Sequence, residues 1–198
     1  MTTAFWICLG YLLGSIPFSV WLGRVFRAMD IRSVGDGNPG AMNAWKAGGW
    51  QIGCPTIILD YLKGLLPVGL AHFGAGVAGW ELLPVALAPV LGHAFPLFLG
   101  FRGGKALAVT FGMWTGLTLG EAPIILGLFF LLFILLLSAE GWAVILGMSG
   151  LLVHLLLHQA QAGLLAIWSG NMLILVVKHR VDLRQPLRLR SWLLAQRK

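Results

Sequence analysis

The chain has 198 residues, 58% of them apolar and 11% charged, with a mean hydropathy of +0.86. A soluble domain carries about twice that charged fraction, so a soluble enzyme is excluded and an integral membrane protein is expected. The net charge of +7 is not read as a nucleic-acid signal, because the basic residues gather at the ends of apolar runs, where cytoplasmic loops and anionic headgroups account for them.

The first span runs from Thr3 to about Phe26 and is interrupted by Gly14-Ser15-Ile16-Pro17. Pro17 removes a backbone donor and is expected to kink the helix. No basic residue precedes this stretch and no cleavage site is evident, so it is read as a retained span. Arg24, Arg27 and Arg32 follow, and then a polar, glycine-rich segment from Asp30 to Gly49. The second span, about Trp50 to Ala71, contains Asp60 and Lys63. A Gly-rich loop from Phe73 to Gly79 leads to a third span ending near Leu99. The remaining spans are about Ala106 to Leu119, Pro123 to Ser138, Gly141 to Leu157 and Gly163 to Val177. Several are shorter than the roughly 20 residues of a typical crossing, so seven is the expected count and six the alternative. The fold class is all-α: one polytopic helical bundle, a single domain over residues 1–198.

Loop charge favours seven. The loops after the first and third spans and the C-terminus then share a side. They hold Arg24, Arg27, Arg32, Lys46, Arg102, Lys105 and every basic residue from Lys178 to Lys198. The opposite loops hold Glu81 and Glu121 and neither Lys nor Arg. The positive-inside tendency makes the basic side cytoplasmic and leaves the N-terminus outside. No internal repeat is evident, which argues against an inverted-repeat transporter.

Three polar segments therefore share the cytoplasmic face. The first, Gly35 to Lys46, has glycines that let the backbone fold tightly on a ligand, Asn38 and Asn43 with donor and acceptor capacity, and the charge of Lys46. A segment this long and polar in so apolar a chain points to function rather than to a solvated turn. The second runs from Gly92 to Lys105. Arg102-Gly103-Gly104-Lys105 before a helix is either a topology turn or an anion cradle of close backbone, unpaired helix-start N–H groups and a lysine. It lacks P-loop spacing. His93 is either an interfacial hydrogen-bonded histidine or an acid–base or ligand-binding group. The third segment, Lys178 to Arg184, is a lipid anchor or a phosphate site. Asp60 and Lys63, three apart on one helix face, form a structural ion pair or serve function. His154 and His158 are expected to face outward in isolation, without a ligand role. Cys8 and Cys54 show neither metal spacing nor a disulfide framework, and no metal site is expected.

Gly14-Ser15-Ile16-Pro17-Phe18, Asp30-Ile31-Arg32 running into Gly35-Asp36-Gly37-Asn38-Pro39-Gly40-Ala41-Met42-Asn43, Leu59 to Gly64, Gly92 to Pro96 with Gly103-Gly104-Lys105, and Lys178-His179-Arg180 resemble, in order and nearly end to end, the bacterial acyl-phosphate:glycerol-3-phosphate acyltransferases. The resemblance implies transfer of a fatty acyl group from acyl phosphate to the 1-hydroxyl of glycerol 3-phosphate. Lysophosphatidic acid and phosphate are the products, with no acyl-enzyme, no cofactor and no partner beyond these substrates and the lipid bilayer. It implies that Asn38, Asn43, His93 and Lys105 are catalytic, with His93 supporting the second loop. Arg32, Gly37, Gly40, Lys46, Arg102, Gly103, Gly104, His179, Arg180 and Asp182 would bind substrate: Gly103, Gly104 and Lys105 the phosphate, and Lys46, His179 and Arg180 glycerol phosphate. This chain departs from the family pattern at Asp36 (Ser in the family), Met42 (Thr), Lys46 (Arg), Ala106 (Gly) and Asp182 (Asn), and the later Gly-x-Glu of the third motif is missing. Those departures leave open a relative with another acceptor, or one that only binds lipid phosphate. A transporter has the Asp60–Lys63 pair as its only support.

Overall fold

A computed structural model describes residues 2–194. Its elements are all helical: α1 Thr3–Ser15, α2 Phe18–Arg27, α3 Ala41–Gly48, α4 Trp50–Gly69, α5 Leu82–Ala94, α6 Leu107–Thr118, α7 Glu121–Leu136, α8 Glu140–Leu157, α9 Ala162–Lys178, and the short α10 Arg180–Leu183 and α11 Ser191–Leu194. Thr3–Arg27, Trp50–Gly74, Gly79–Leu99 and Glu140–Leu157 are long and apolar enough to cross a membrane, and α6, α7 and α9 are shorter apolar helices. Arg197 and Lys198, counted in the charge argument, lie outside the described residues.

The expected kink at Pro17 is a complete break: α1 ends at Ser15 and α2 begins at Phe18. The break leaves the carbonyl of Ile16 beside the bundle interior, where Lys63 Nζ donates to it at 3.0 Å. Lys63 also pairs with Asp60 at 2.8 Å, both side chains being buried. Buried charges are costly unless paired and hydrogen-bonded. Here the pair meets that condition and ties α4 to the α1–α2 break.

The helices approach closely through small residues, as membrane bundles do. A Cβ at Gly92 of α5 would meet the backbone of α1, and one at Gly112 or Gly116 of α6 the backbone of α4. The core holds Met113, Trp114, Met148 and Leu151. Within it Asn171 accepts from Trp114 Nε1 at 3.1 Å and donates to Thr110 Oγ1 at 3.0 Å. At the end of the bundle that holds the α6–α7 turn, His154 is not isolated as expected: its Nε2 lies 2.9 Å from Glu121 Oε1 and its ring 4.4 Å from that of His158. Antiparallel packing of α7 on α8 brings the start of one beside the end of the other.

The polar segment after α2 is also more regular than expected. Gly40 and Gly49 bound the helix α3, and Ser19 of α2 fixes the segment's position by donating to the Pro39 carbonyl at 3.1 Å. At its twelve residues, α6 covers about 18 Å, short of the roughly 30 Å hydrocarbon core. Buried Gly103, Gly104 and Ala106 precede it, so its N-terminal turn begins inside the bundle.

Candidate active site

The segment from Asp36 to Asn43 folds on itself. Asp36 Oδ1 accepts from the backbone N–H of Asn38 at 3.2 Å and from Asn43 Nδ2 at 2.8 Å. Asn43 Nδ2 also donates to the Asn38 carbonyl at 2.9 Å. Asn43 is buried and its donors are spent within the segment, so it shapes the loop. The Asn38 side-chain amide makes no hydrogen bond among the described residues and is free to meet a ligand. Gly35 (φ 63°) and Gly37 (φ 73°) adopt left-handed backbone. A Cβ at Gly35 would run into the Asn43 amide and come 3.3 Å from Lys46 Nζ, so glycine is required there on both counts.

The Gly-Gly-Lys turn is held from behind. Gly103 N–H donates to the Ala94 carbonyl at 3.2 Å and Gly104 N–H to the His93 carbonyl at 3.1 Å. These N–H groups are used within the protein. The glycines are needed because a Cβ at Gly104 would strike the His93 ring, and one at Gly103 the backbone of His93 and Ala94. His93 itself is buried, its Nδ1 3.7 Å from Asp60 Oδ1. The unpaired N–H groups lie just beyond, in the first turn of α6, where an anion is favoured. Ala106, before that turn, is left-handed (φ 62°) and buried. This explains the family glycine: an L-residue there is strained.

Lys105 sits between two carboxylates, Asp182 Oδ2 at 2.9 Å and Asp36 Oδ2 at 3.3 Å. Burial opposes its charge, but the hydrogen bonds it donates to Asp182 and Asp36 outweigh burial and hold its pKa above the usual value. Burial likewise opposes ionisation of Asp36. The Asn38 N–H, the Asn43 amide and Lys105 outweigh it, and the carboxyl is held below its ordinary range. Asp36 is therefore charged at neutral pH, and Lys105, bridging Asp36 and Asp182, ties the first and third segments together.

Two cavities meet at this lysine. One, of about 390 Å³, lies among α3, α4, α6, α7 and α8; its polar lining includes Lys46, Lys105 and His179, and its apolar lining Ile57, Phe111 and Phe130. The other, of about 890 Å³, is an open bowl with Arg32, Arg102, Lys178 and Arg180 on its walls. Asp36, Asn38 and Lys105 line both. The fold thus separates residues grouped by the resemblance: Lys46 and His179 face the apolar cavity and Arg180 the basic bowl. His179 Nδ1 is 2.9 Å from the Leu175 carbonyl, to which it donates as the N–H tautomer, leaving Nε2 for the cavity. Arg32 is anchored by Asp30, Nη2 to Oδ2 at 2.6 Å. Asp182 touches Lys105, and Gly37 and Gly40 line the bowl and the apolar cavity respectively.

Two contributors lie outside the site residues that the resemblance implied. Lys178, read there as part of a basic cluster, donates to the carbonyls of Ala94 at 3.0 Å and Gly103 at 2.8 Å, clamping the second segment to α9. Asp60, read as half of an ion pair, also flanks His93 and reaches the apolar cavity. The i, i+3 spacing found the pair; nothing in the linear order pointed to its third member.

The glycerol-3-phosphate acyltransferase family model matches residues 4–188. Among relatives, glycerol-3-phosphate acyltransferase 1 of Thermotoga maritima is 35% identical over 95% of this chain and 99% of its own. The enzyme of Rubrobacter xylanophilus is 42% identical over 68% of this chain and 65% of its own. The crystal structure of PlsY, an integral membrane glycerol 3-phosphate acyltransferase, in its glycerol 3-phosphate form superposes with a TM-score of 0.85 at 27% identity, covering 99% of both chains. Its lysophosphatidic acid form gives 0.83. With the model spanning all three polar segments and the fold shared end to end, this integral membrane chain belongs to the glycerol-3-phosphate acyltransferase family.

Proposed function

We propose that this protein transfers a fatty acyl group from acyl phosphate to the 1-hydroxyl of glycerol 3-phosphate. The observation that carries the reading is the junction of an apolar cavity with a basic bowl at Asn38 and Lys105. A donor with a long hydrocarbon tail and an anionic head fits the first, and a small hydrophilic phosphate ester fits the second. The acyl chain lies along Leu107 toward Phe111 and Phe130. The donor's phosphate is held by Lys105 and the first-turn N–H groups of α6, with Lys46 and His179 on the same cavity. Arg102, Arg180 and Arg32 take the acceptor's phosphate as charged hydrogen-bond donors.

The acceptor's 1-hydroxyl oxygen attacks the acyl carbonyl carbon. The tetrahedral oxyanion is stabilised by α6 N–H groups and the Asn38 amide. Collapse breaks the carbon–oxygen bond to phosphate, which departs with the electron pair and takes up the hydroxyl proton. The acyl group passes directly between substrates, and the positioning of two bound reactants supplies much of the acceleration. Asn43, His93, Gly103 and Gly104 hold the reacting groups in place. The whole chain, 1–198, acts as one domain of seven spans, with the N-terminus outside and the three segments on the cytoplasmic side, as the loop charges support.

Purified protein in lipid, supplied with acyl phosphate and glycerol 3-phosphate, is expected to release phosphate and form lysophosphatidic acid, and Lys105→Ala to lose that activity. Absence of release beside an active relative overturns the reading.

A further inference from the structure

We propose that Phe111 and Phe130 form the floor of the apolar cavity and set the acyl chain lengths that the protein accepts. This rests on the acyl-chain role given to that cavity above. Leu107 and Ala108 line it next to Lys105, and Phe111 lies one turn further along α6, about 6 Å along the axis. Phe130 lines the same cavity from α7. The two rings meet edge to face, 71° between planes and 6.5 Å between centroids, the arrangement aromatic pairs favour. Together they bridge α6 and α7 across the line a chain would follow from Lys105.

Two glycines border these rings, and one of them fixes the backbone beneath Phe130. A Cβ at Gly127 of α7 would stand 3.5 Å from Phe111 Cε1, in contact with the ring. A Cβ at Gly147 of α8 would stand 3.2 Å from the Phe130 nitrogen and 3.3 Å from its Cα, so α7 is pressed against α8 where Phe130 arises. The backbone that carries Phe130 therefore cannot shift toward α8 without moving it, and Phe111 is met by the Phe130 ring across the α6–α7 contact. Close-packed interiors resist such shifts. A chain that ends before the rings gains about fourfold in affinity per buried methylene. One that reaches a closed apolar wall is discriminated against by about tenfold or more per methylene.

The test uses wild type, Phe111→Ala, Phe130→Ala and the milder Phe130→Leu in lipid nanodiscs. Saturated acyl phosphates of 12 to 18 carbons serve as donors and kcat/KM is measured for each. Wild type is expected to show a step down at one length. The alanine variants are expected to move the step to longer donors, changing the ratio of long to short kcat/KM tenfold or more, with Phe130→Leu between. Unchanged ratios, or losses equal at every length, overturn the proposal, as would follow if the chain leaves sideways into lipid. Thermal stabilisation by alkyl phosphates of the same lengths is the second readout, free of turnover. If wild type releases no phosphate but stabilisation shows a length step that the variants move, the floor stands and the transfer reading falls. If stabilisation shows no length step in wild type, or one the variants leave in place, the floor is refuted.

Discussion

The two carboxylates on Lys105 make the sharpest prediction. A phosphate held by Lys105 must compete with Asp182 at 2.9 Å and Asp36 at 3.3 Å. The side chains are 26% exposed for Lys105, 20% for Asp182 and 54% for Asp36, so solvent screens the pairs and each contributes up to about 1 kcal/mol. Replacing Asp36 by Ser keeps an oxygen to accept from the Asn38 N–H and removes the charge. The KM for acyl phosphate should then fall about two- to fivefold, with a smaller change in kcat. Asp182→Asn should do at least as much, because its pair is shorter and less exposed. The double variant should depart from the product of the singles, since both act on one Nζ. Steady-state kinetics in nanodiscs at low and high salt is the assay, and the gain should shrink as salt rises. A KM that rises or stays level in both single variants refutes the competition, and with it the assignment of phosphate to Lys105.

Lys178→Met removes both bonds that clamp the Gly103 turn. Loss of bonds from a charged donor costs about 1.5–3 kcal/mol, and thermal unfolding should fall by several degrees along with activity. Gly104→Ala pushes on the His93 ring and displaces Lys105, which should lower kcat/KM about 10²-fold; near wild-type kinetics would show that the turn tolerates movement. Ala106→Gly relieves a left-handed alanine and should stabilise by about 1 kcal/mol, raising the melting temperature about 2–4 °C. Because Asp36 is held below its ordinary pKa and Lys105 above, their contribution to stability is complete between the unfolded values of 3.8 and 10.5. It is lost as pH falls through the folded Asp36 pKa or rises through that of Lys105. The melting difference between wild type and Asp36→Ser should therefore be flat from about pH 5 to 9 and diminish at either extreme.

The bundle was legible because lipid demands long apolar helices. The fourth, sixth and seventh apolar runs were placed within a residue or two of Leu107–Thr118, Glu140–Leu157 and Ala162–Lys178. Helix α3 was not legible: eight residues between glycines, in a polar stretch, carry little periodic signal. The Gly103-Gly104 pair was found, but its reason was not. Its glycines looked like room for a ligand and are room for His93, ten and eleven residues upstream across a turn. Lys178 was hidden for a similar cause, since its two acceptors lie 84 and 75 residues away.

The departures at Asp36 and Asp182 change meaning once they are placed in space. Read along the chain, they are two losses of neutral polar groups in separate motifs, each adding a negative charge beside a phosphate site. In the fold they converge on one Nζ. A single carboxylate there would leave Lys105 half of an ion pair, free to swing toward a phosphate. Two carboxylates, one from each segment, hold it from both sides and bring the segment after α2 to the segment after α9. The pair of acids thus draws together the two cavities' shared wall at the residue where acyl transfer is proposed. What Lys105 loses in attraction for phosphate it gains in fixed position, and in a reaction that depends on the positioning of two bound substrates both terms enter the rate. The kinetics of the single and double acid variants separate them: attraction is read in KM, position in kcat.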